Sequence, residues 1–247
     1  TFTMDLSPSS ESFNVSKDGD KSIVKVTYRF PQVDAQWEIT YKVFANGIIK
    51  VDNRFVAEGT ETPMIPRVGL RMQLSEILND LTYYGRGPEE NYRDRRTSQF
   101  IGEYTTPIKD LYEPYIRPQE NEHRTDIYWC ALTTKQKAGL LFIADRTFEL
   151  NASNYLLGSL DSGETIDNGA PRTNETNHRH LTDPQPVKQV DMFIDYRMMG
   201  VGGDNSWGAI AHEPYLIRPG VENAIEYGFS IVPFDKKADY KNLIYQY

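Results

Sequence analysis

Carboxylates with arginines nearby occur in two loop-like stretches and are the first candidates for chemistry. Glu89 and Glu90 follow a Gly-Pro pair, and Glu120, Glu122 and Asp126 lie further along the chain. Hydrolysis of a glycosidic bond needs two carboxyl groups facing each other across that bond, one acid and one nucleophile or base. Guanidinium groups instead pair with carboxylates and fix loops, and five arginines lie close in sequence: Arg86, Arg93, Arg95, Arg117 and Arg124. The pattern favours a loop scaffold over a catalytic pair.

Histidines are the second candidate for chemistry. His178 and His180 stand at i and i+2, which places both rings on one face if the segment is a strand. A metal site would need a third ligand, and the sequence offers none nearby, so we predict structural histidines and no metal site. His123 and His212 stand alone.

The third candidate is a glycine-rich loop that carries a tryptophan. An apolar stretch over residues 187–199 leads into Gly200, Gly202 and Gly203, then a turn cluster that includes Asp204, and then Trp207. Glycine allows close backbone approach and positive φ, and Asp, Asn and Ser stabilise turns. The pattern predicts Trp207 at the tip of a shaped loop, presenting a flat apolar face. The alternative is an aromatic side chain that folds back onto the surface.

The elements that position these residues are predicted to be strands. Apolar and polar residues alternate over 24–30, 37–43 and 49–51, which is typical of strands with one buried face. Asn46-Gly47 indicates a hairpin turn, and residues 125–134 and 138–144 form a second predicted hairpin. Residues 7–20 are expected to be a loose start, residues 89–119 a loop segment of little periodicity, and residues 235–247 a short helix or a frayed end. The sequence predicts one antiparallel, all-β domain, either a sandwich or a barrel.

Composition excludes several classes of function. The chain has 247 residues, a net charge of −8 and no basic stripe, so nucleic acid is not an expected partner. Its longest apolar run, residues 138–144, is far shorter than the ~20 residues that span a membrane. The single cysteine, Cys130, rules out an intrachain disulfide and is expected to be a small core residue. We therefore expect a soluble chain, and its compartment, cytoplasm or periplasm, stays open.

Three motifs resemble the C-terminal domain of glycoside hydrolase family 2 β-galactosidases. They occur in the family's order, at residues 84–92 (YGRGPEENY), 117–121 (RPQEN) and 199–207 (MGVGGDNSW). Residues 1–79 are compatible with the family but carry no signature. The sequence departs from the family pattern at Glu122, where glycine is usual, and at Arg93, where proline is usual.

The resemblance implies a large antiparallel two-sheet super-sandwich of the galactose-mutarotase type, formed by residues 1–247 as one domain without the first strands of the family's domain. It implies that the catalytic glutamates and Mg²⁺, with Na⁺ as a second candidate, belong to a separate catalytic barrel domain. This chain would complete that active site for terminal β-D-galactosides such as lactose and would be inactive alone. Trp207 would contact the substrate, and the complete enzyme would be a homo-oligomer. The expected loop scaffold near the site consists of Arg86, Glu89, Asn91, Glu120, Asn121 and Asp204.

The alternative is a free-standing sugar protein on the same fold, either a carbohydrate-binding module or an aldose-epimerase-like enzyme. An epimerase would need a glutamate base and a histidine acid facing one sugar ring. His178 or His180 with Glu120 or Glu213 is the pairing available for that role, but no motif supports it.

Overall fold

The structure, a computed structural model, describes residues 8–57, 64–116, 118–160, 181–205, 207–219 and 224–246. These residues form eleven strands and two one-turn α-helices. The elements are β1 (Ser9–Asp18), β2 (Lys21–Phe30), β3 (Ala35–Phe44), β4 (Ile49–Ala57), β5 (Arg67–Ser75), β6 (Asp80–Gly87), β7 (Phe100–Pro107), β8 (Arg124–Thr133), β9 (Gly139–Ser153), α1 (Leu157–Leu160), β10 (Gln189–Met198), β11 (Ile225–Phe234) and α2 (Tyr240–Leu243).

The first strands form the antiparallel meander that the alternation predicts. Tyr28 of β2 lies opposite Trp37 of β3, and Trp37 lies opposite Phe55 of β4, so aromatic side chains share one face. Gly47 closes the β3–β4 hairpin with a φ of 85°, a value that glycine adopts without strain. The predicted Asn-Gly turn and the predicted hairpin of β8 and β9 are both confirmed.

Strand β9 joins two layers of strands because its two halves have different neighbours. Residues 139–144 pair with β11, residues 149–153 pair with β10, and β8 runs along the other edge. The sheet order is β1-β2-β3-β4-β11-β9-β8-β6-β7, and β10 also pairs with β5. The hydrogen-bonded sheet is therefore continuous and branches at β9, where residues 145–147 are exposed.

Both branches contribute to one buried core. Val51 of β4 and Phe229 of β11 belong to the same cluster as Met192 and Ile194 of β10. The Tyr227 hydroxyl donates to the Ile194 carbonyl oxygen at 3.3 Å and so links the two branches. Each such side chain contributes about 1.5–3 kcal/mol by leaving water. The predicted all-β antiparallel sandwich is confirmed, and so is Cys130 as a fully buried core residue, where burial raises its pKa.

Two predictions about local structure were wrong, both at the ends of the strand order. Residues 7–20 were expected to be loose, but β1 occupies Ser9–Asp18 and pairs with β2. Residues 89–119 were expected to be loop, but they contain β7, which pairs with β6. Each is an edge strand that leaves a phenylalanine exposed, Phe13 or Phe100, so apolar residues do not mark a buried face in the sequence. The predicted short helix in the C-terminal tail is α2.

Candidate functional site

The three sequence motifs meet in a group of loops next to β6, β8 and β10. The amide N–H of Asn91 donates to the carbonyl oxygen of His123 at 2.7 Å, which joins the loop after β6 to the segment before β8. The amide N–H of Gly202 donates to Asp94 at 2.7 Å, which joins the loop after β10 to the same region. Motifs more than a hundred residues apart in sequence therefore share one surface region.

Asn91 holds the first two motifs together from a fully buried position. Its side-chain amide donates to the carbonyl oxygens of Arg86 and Glu89, each at 3.0 Å. Its side-chain oxygen accepts from the backbone N–H of Thr125 at 3.0 Å and from the Thr125 hydroxyl at 2.6 Å. All four bonds are local to the loops, so Asn91 fixes backbone and presents no free polar atom to a ligand.

The carboxylates of the motifs are engaged in ion pairs and hydrogen bonds. Glu90 accepts from Arg95, from the Tyr115 hydroxyl and from the backbone N–H of Glu122. Glu89 has an exposed side chain in the loop. In the described part of the chain, the partners of Glu90 come from the surrounding loops, so Glu90 holds these loops together.

Glu120 and Asp126 are occupied in the same way. Glu120 accepts from Arg67 at 2.9 Å and from Asn151 at 3.0 Å. Asp126 accepts from Arg86 at 2.7 Å and from Arg96 at 2.9 and 3.0 Å. Arginine holds each of these carboxylates in place, an arrangement that suits a rigid scaffold.

Asn121 is buried next to this scaffold. It accepts from the backbone N–H of Glu113 at 3.3 Å and donates to the Gln119 carbonyl oxygen at 2.9 Å. Of the arginines singled out from sequence, Arg117 lies outside the described residues. Arg124 is buried, and it donates to the Glu122 carbonyl oxygen at 2.6 Å and to the Tyr83 hydroxyl at 3.2 Å.

Trp207 stands on the surface, with 94% of its side chain exposed. Its backbone N–H donates to the Asn205 side chain at 2.8 Å, and Asp204 pairs with His212 at 2.8 Å. Val201 and Ile210 are exposed on the same loop. The indole is therefore free to cover the face of another molecule, and the loop fixes its backbone.

Asp94, which was not among the residues predicted from sequence, anchors this loop. Its two carboxylate oxygens accept from the backbone N–H groups of Val201 at 3.2 Å and Gly202 at 2.7 Å. A Cβ on Gly200 would lie 2.6 Å from Asp94, so the glycine permits the approach. The sequence holds one signal that could have indicated this role: Asp94 is a single acidic residue among three arginines, Arg93, Arg95 and Arg96.

A buried polar network lies beneath the loops. His123 is fully buried, with its ring nitrogens 2.7 Å from Asn151 and 3.0 Å from Glu149. Burial lowers the pKa of His123, but the hydrogen bond to Glu149 and its charge outweigh burial and raise the pKa overall. Asp195 lies 3.1 Å from Arg67, and burial raises the pKa of Asp195 to about 7. These groups support the loops from inside.

Glu122 is the most unusual carboxyl group in the site. Burial raises its pKa to about 8, and the Ser153 hydroxyl donates to it at 3.1 Å. Its φ of 67° lies in the left-handed region that favours glycine. That conformation gives a physical reason for the glycine that the resemblance places at this position.

Of the four residues in the epimerase pairing, the structure describes the two glutamates. His178 and His180 lie outside the described residues. Glu120 is held by Arg67, and Glu213 is exposed and pairs with Arg218 at 2.7 and 2.9 Å. Across the described ranges, no three His, Cys, Asp or Glu side chains are placed to hold a metal ion. No helix among the same residues has the length and apolar character needed to cross a membrane.

Comparisons with known proteins give consistent results. The family model described as "Beta galactosidase small chain" matches residues 3–231. A β-galactosidase from Priestia megaterium is 31% identical over 212 residues, which are 80% of this chain and 19% of that protein. β-Galactosidases from Streptococcus thermophilus and Lactobacillus delbrueckii subsp. bulgaricus are 30% and 31% identical over 78% and 80% of this chain, and 18% of each protein. The chain thus spans about a fifth of the length of these relatives.

Solved structures give a weaker likeness. The GH36 α-galactosidase AgaA from Geobacillus stearothermophilus matches with a TM-score of 0.44 and 9% identity, over 93% of this chain and 28% of that chain. A likeness at this level adds nothing to the sequence match.

Proposed function

The chain belongs to the β-galactosidase small-chain family, and on that premise we propose that it completes the active site of a separate catalytic domain. The reaction proposed for the complete enzyme is hydrolysis of terminal β-D-galactosides such as lactose. The β-galactosidase relatives are about five times as long as the part that matches this chain. This length supports the proposal that the chain contributes one domain among several.

The observation that carries this proposal is the exposure of Trp207 on a loop with a fixed backbone. An aromatic side chain that is 94% exposed adds little to the core of its own domain. A pyranose ring has an apolar C–H face, and an indole can cover that face at a low cost in side-chain entropy. Trp207 is therefore the proposed substrate-binding residue, with Val201 and Ile210 beside it as the surface that meets the catalytic domain.

The chemistry itself is assigned to the other domain. A glycosidase needs two carboxyl groups free to face the scissile bond. In the described part of the chain, Glu90, Glu120 and Asp126 are tied to arginines, and Glu122 and Asp195 are buried. We accordingly place the catalytic glutamates and the Mg²⁺ site, with Na⁺ as a second ion, in the catalytic domain.

The remaining parts of the proposal concern assembly and location. The catalytic domain is the first partner, either in the same polypeptide or as a separate chain, and the complete enzyme is proposed to be a homo-oligomer. The proposed compartment is the cytoplasm or the periplasm.

Kinetics on Trp207 variants of the complete enzyme test this function. Trp207→Ala is expected to raise KM about 5- to 30-fold, which corresponds to a stacking contact of ~1–2 kcal/mol. Trp207→Phe should recover part of the loss because a flat ring remains. The melting temperature should barely change, since exposed substitutions alter stability by about 0.5 kcal/mol or less.

Tyr245→Ala is the matched control, because Tyr245 is 89% exposed and lies after α2, outside the loop group. It should leave both KM and the melting temperature unchanged. A large fall in melting temperature for Trp207→Ala, with KM unchanged, would mean that Trp207 serves the fold and would overturn the proposed role.

A further inference from the structure

A polar cleft of about 760 Å³ opens on the sheet, and none of the functions above uses it. This volume is within the range of ~300–1,000 Å³ that is usual for ligand sites. Trp207 is not among its lining residues, which come from β3, β4, β8, β9, β10, β11, the residue before β11 and the loop after β6.

The floor of the cleft includes a row of three charged residues on neighbouring strands. Glu38 of β3 lies opposite Arg54 of β4, and Arg54 lies opposite Glu226 of β11. The Arg54 guanidinium is 3.7 Å from Glu38 and 3.3 Å from Glu226, so the row is held together by its own charges. These ion pairs therefore order the hydrogen-bonding groups of the row before a ligand binds.

A second row runs parallel to the first. Thr40 lies opposite Asp52, and Asp52 lies opposite Gly228. Asp52 pairs with Lys42 at 2.7 Å, which fixes its carboxylate. A Cβ on Gly228 would collide with the Asp145 side chain. Because glycine has no side chain, the cleft stays open at this position.

The walls come from the bend of β9 and from the region of Arg93 and Arg197. Arg93 lies 3.7 Å from Glu149, and its Nε is buried with no hydrogen-bond partner in the described part of the chain. Burial and the neighbouring charge of Arg197 lower the pKa of Arg93. Arg197 rests over the Tyr196 ring, 5.0 Å from its centroid. The Arg93 side chain is 21% exposed and lines the cleft, so the exposed part of its guanidinium can donate to a ligand that accepts hydrogen bonds.

The charges in the lining limit the chemistry of the ligand. Six carboxylates and four guanidinium groups line the cleft. Lys42 and Lys50 pair with two of these carboxylates, Asp52 and Asp145, so positive and negative charges at the cleft balance and favour neither an anion nor a cation. An apolar ligand would leave these polar groups unsatisfied. A neutral molecule with many hydroxyl groups can both donate to the carboxylates and accept from the arginines.

We propose that this cleft binds a neutral oligosaccharide, held by the two floor rows and by Arg93. The proposal goes beyond the function above and does not depend on it, because it requires neither hydrolysis nor Trp207. The rows supply acceptors at the spacing of adjacent strands, about 4.8 Å, so more than one hydroxyl group of a sugar chain can be bound at once.

The test is saccharide binding to the complete enzyme while a saturating, non-hydrolysable thio-β-galactoside occupies the active site. The probes are cellobiose, maltotriose and thio-linked galactobiose, with digalacturonate as the charged counterpart, measured by calorimetry and ligand-observed NMR. At least one neutral probe is expected to bind. Digalacturonate is expected to bind more weakly than that neutral probe.

Two variants locate the binding. Asp52→Ala removes a floor acceptor, and Arg93→Lys keeps the positive charge but removes the planar set of guanidinium donors. Each is expected to weaken the neutral probe about three- to tenfold, the value of one hydrogen bond. Glu103→Ala is the matched control, because Glu103 is also an exposed carboxylate paired with a lysine, Lys241, but lies on β7. It should leave the affinity unchanged.

Three results would overturn the proposal: no neutral probe binding at tens of millimolar, binding that neither Asp52→Ala nor Arg93→Lys weakens, or tighter binding of digalacturonate. Hydrolysis of a chromogenic β-galactoside is measured on the same samples and should not change in Asp52→Ala. Failure of the two proposals is distinguishable, because hydrolysis responds to Trp207 and saccharide affinity responds to Asp52 and Arg93.

Discussion

Replacing Asp94 with alanine is expected to raise the KM of the complete enzyme for β-galactosides without unfolding the sandwich. Asp94 accepts hydrogen bonds from the backbone N–H groups of Val201 and Gly202, the two residues that follow Gly200 at the start of the Trp207 loop. Without the carboxylate the loop keeps the Gly200 N–H bond to the Tyr215 carbonyl oxygen, at 2.8 Å, but loses both of these bonds. The indole should then be in its binding position for a smaller fraction of the time.

The magnitude follows from those two bonds. A hydrogen bond to a charged group contributes about 1.5–3 kcal/mol when it is desolvated. Both bonds here are exposed to solvent, so we assign ~1–2 kcal/mol to the pair. Apparent affinity falls with the fraction of competent protein, and ~1–2 kcal/mol corresponds to a 5- to 30-fold rise in KM at most. Asp94→Asn retains one acceptor oxygen and should show a smaller rise.

The assay is steady-state kinetics and thermal melting on Asp94→Ala, Asp94→Asn and the control Asp110→Ala. Asp110 is also an exposed aspartate, but it pairs with its neighbour Lys109, at 3.3 Å, and lies outside the loop group. If Asp94 acts through Trp207, the double variant Asp94→Ala/Trp207→Ala should have nearly the KM of Trp207→Ala alone. Additive effects of the two substitutions, or an unchanged KM for Asp94→Ala, would refute this account of the loop.

Two further predictions concern buried groups of the site. Asn91→Asp keeps the oxygen that accepts from Thr125 but loses both amide donors and buries a charge, so it should destabilise the protein by about 2–4 kcal/mol. The control is Asn242→Asp at an exposed position, with stability measured by denaturant unfolding. Equal denaturation midpoints for the two variants would contradict the role of Asn91. Because burial raises the pKa of Glu122 to about 8, the folded protein keeps a proton that the unfolded chain releases above about pH 4.3, and stability falls as pH rises between these values. Glu122→Gln keeps the acceptor for Ser153 and should raise the melting temperature more at about pH 9 than at about pH 5; an equal change at both would be inconsistent with a buried, protonated Glu122.

The central strands could be predicted from sequence because each buries one face. Alternation over β2, β3 and β4 reports that burial directly. The edge strands β1 and β7 could not be predicted, since Phe13 and Phe100 are exposed there and the half-buried positions of β7 are Gly102, Tyr104 and Thr106, of which only Tyr104 is a large side chain. A strand whose side chains meet little core leaves little periodicity in the sequence.

The site was predictable where residue type determines local geometry. Glycines and turn residues mark the Trp207 loop, and the exposure of Trp207 agrees with the predicted loop tip. Long-range partners were not predictable: Asp94 binds residues 107 and 108 positions away, and Glu120 is held by Arg67, 53 positions away. The burial of Glu122 also comes from the tertiary fold, which a single sequence does not display.

The central claim is that this chain completes an active site whose catalytic carboxylates lie in another domain. The most direct measurement is hydrolysis of a chromogenic β-galactoside by the 247-residue chain alone, by the catalytic domain alone, and by the two mixed. We predict no turnover above buffer for the chain alone, little for the catalytic domain, and restored turnover for the mixture, which Trp207→Ala should reduce through KM. Turnover by the chain alone that disappears in Glu120→Gln or Glu89→Gln would contradict the claim.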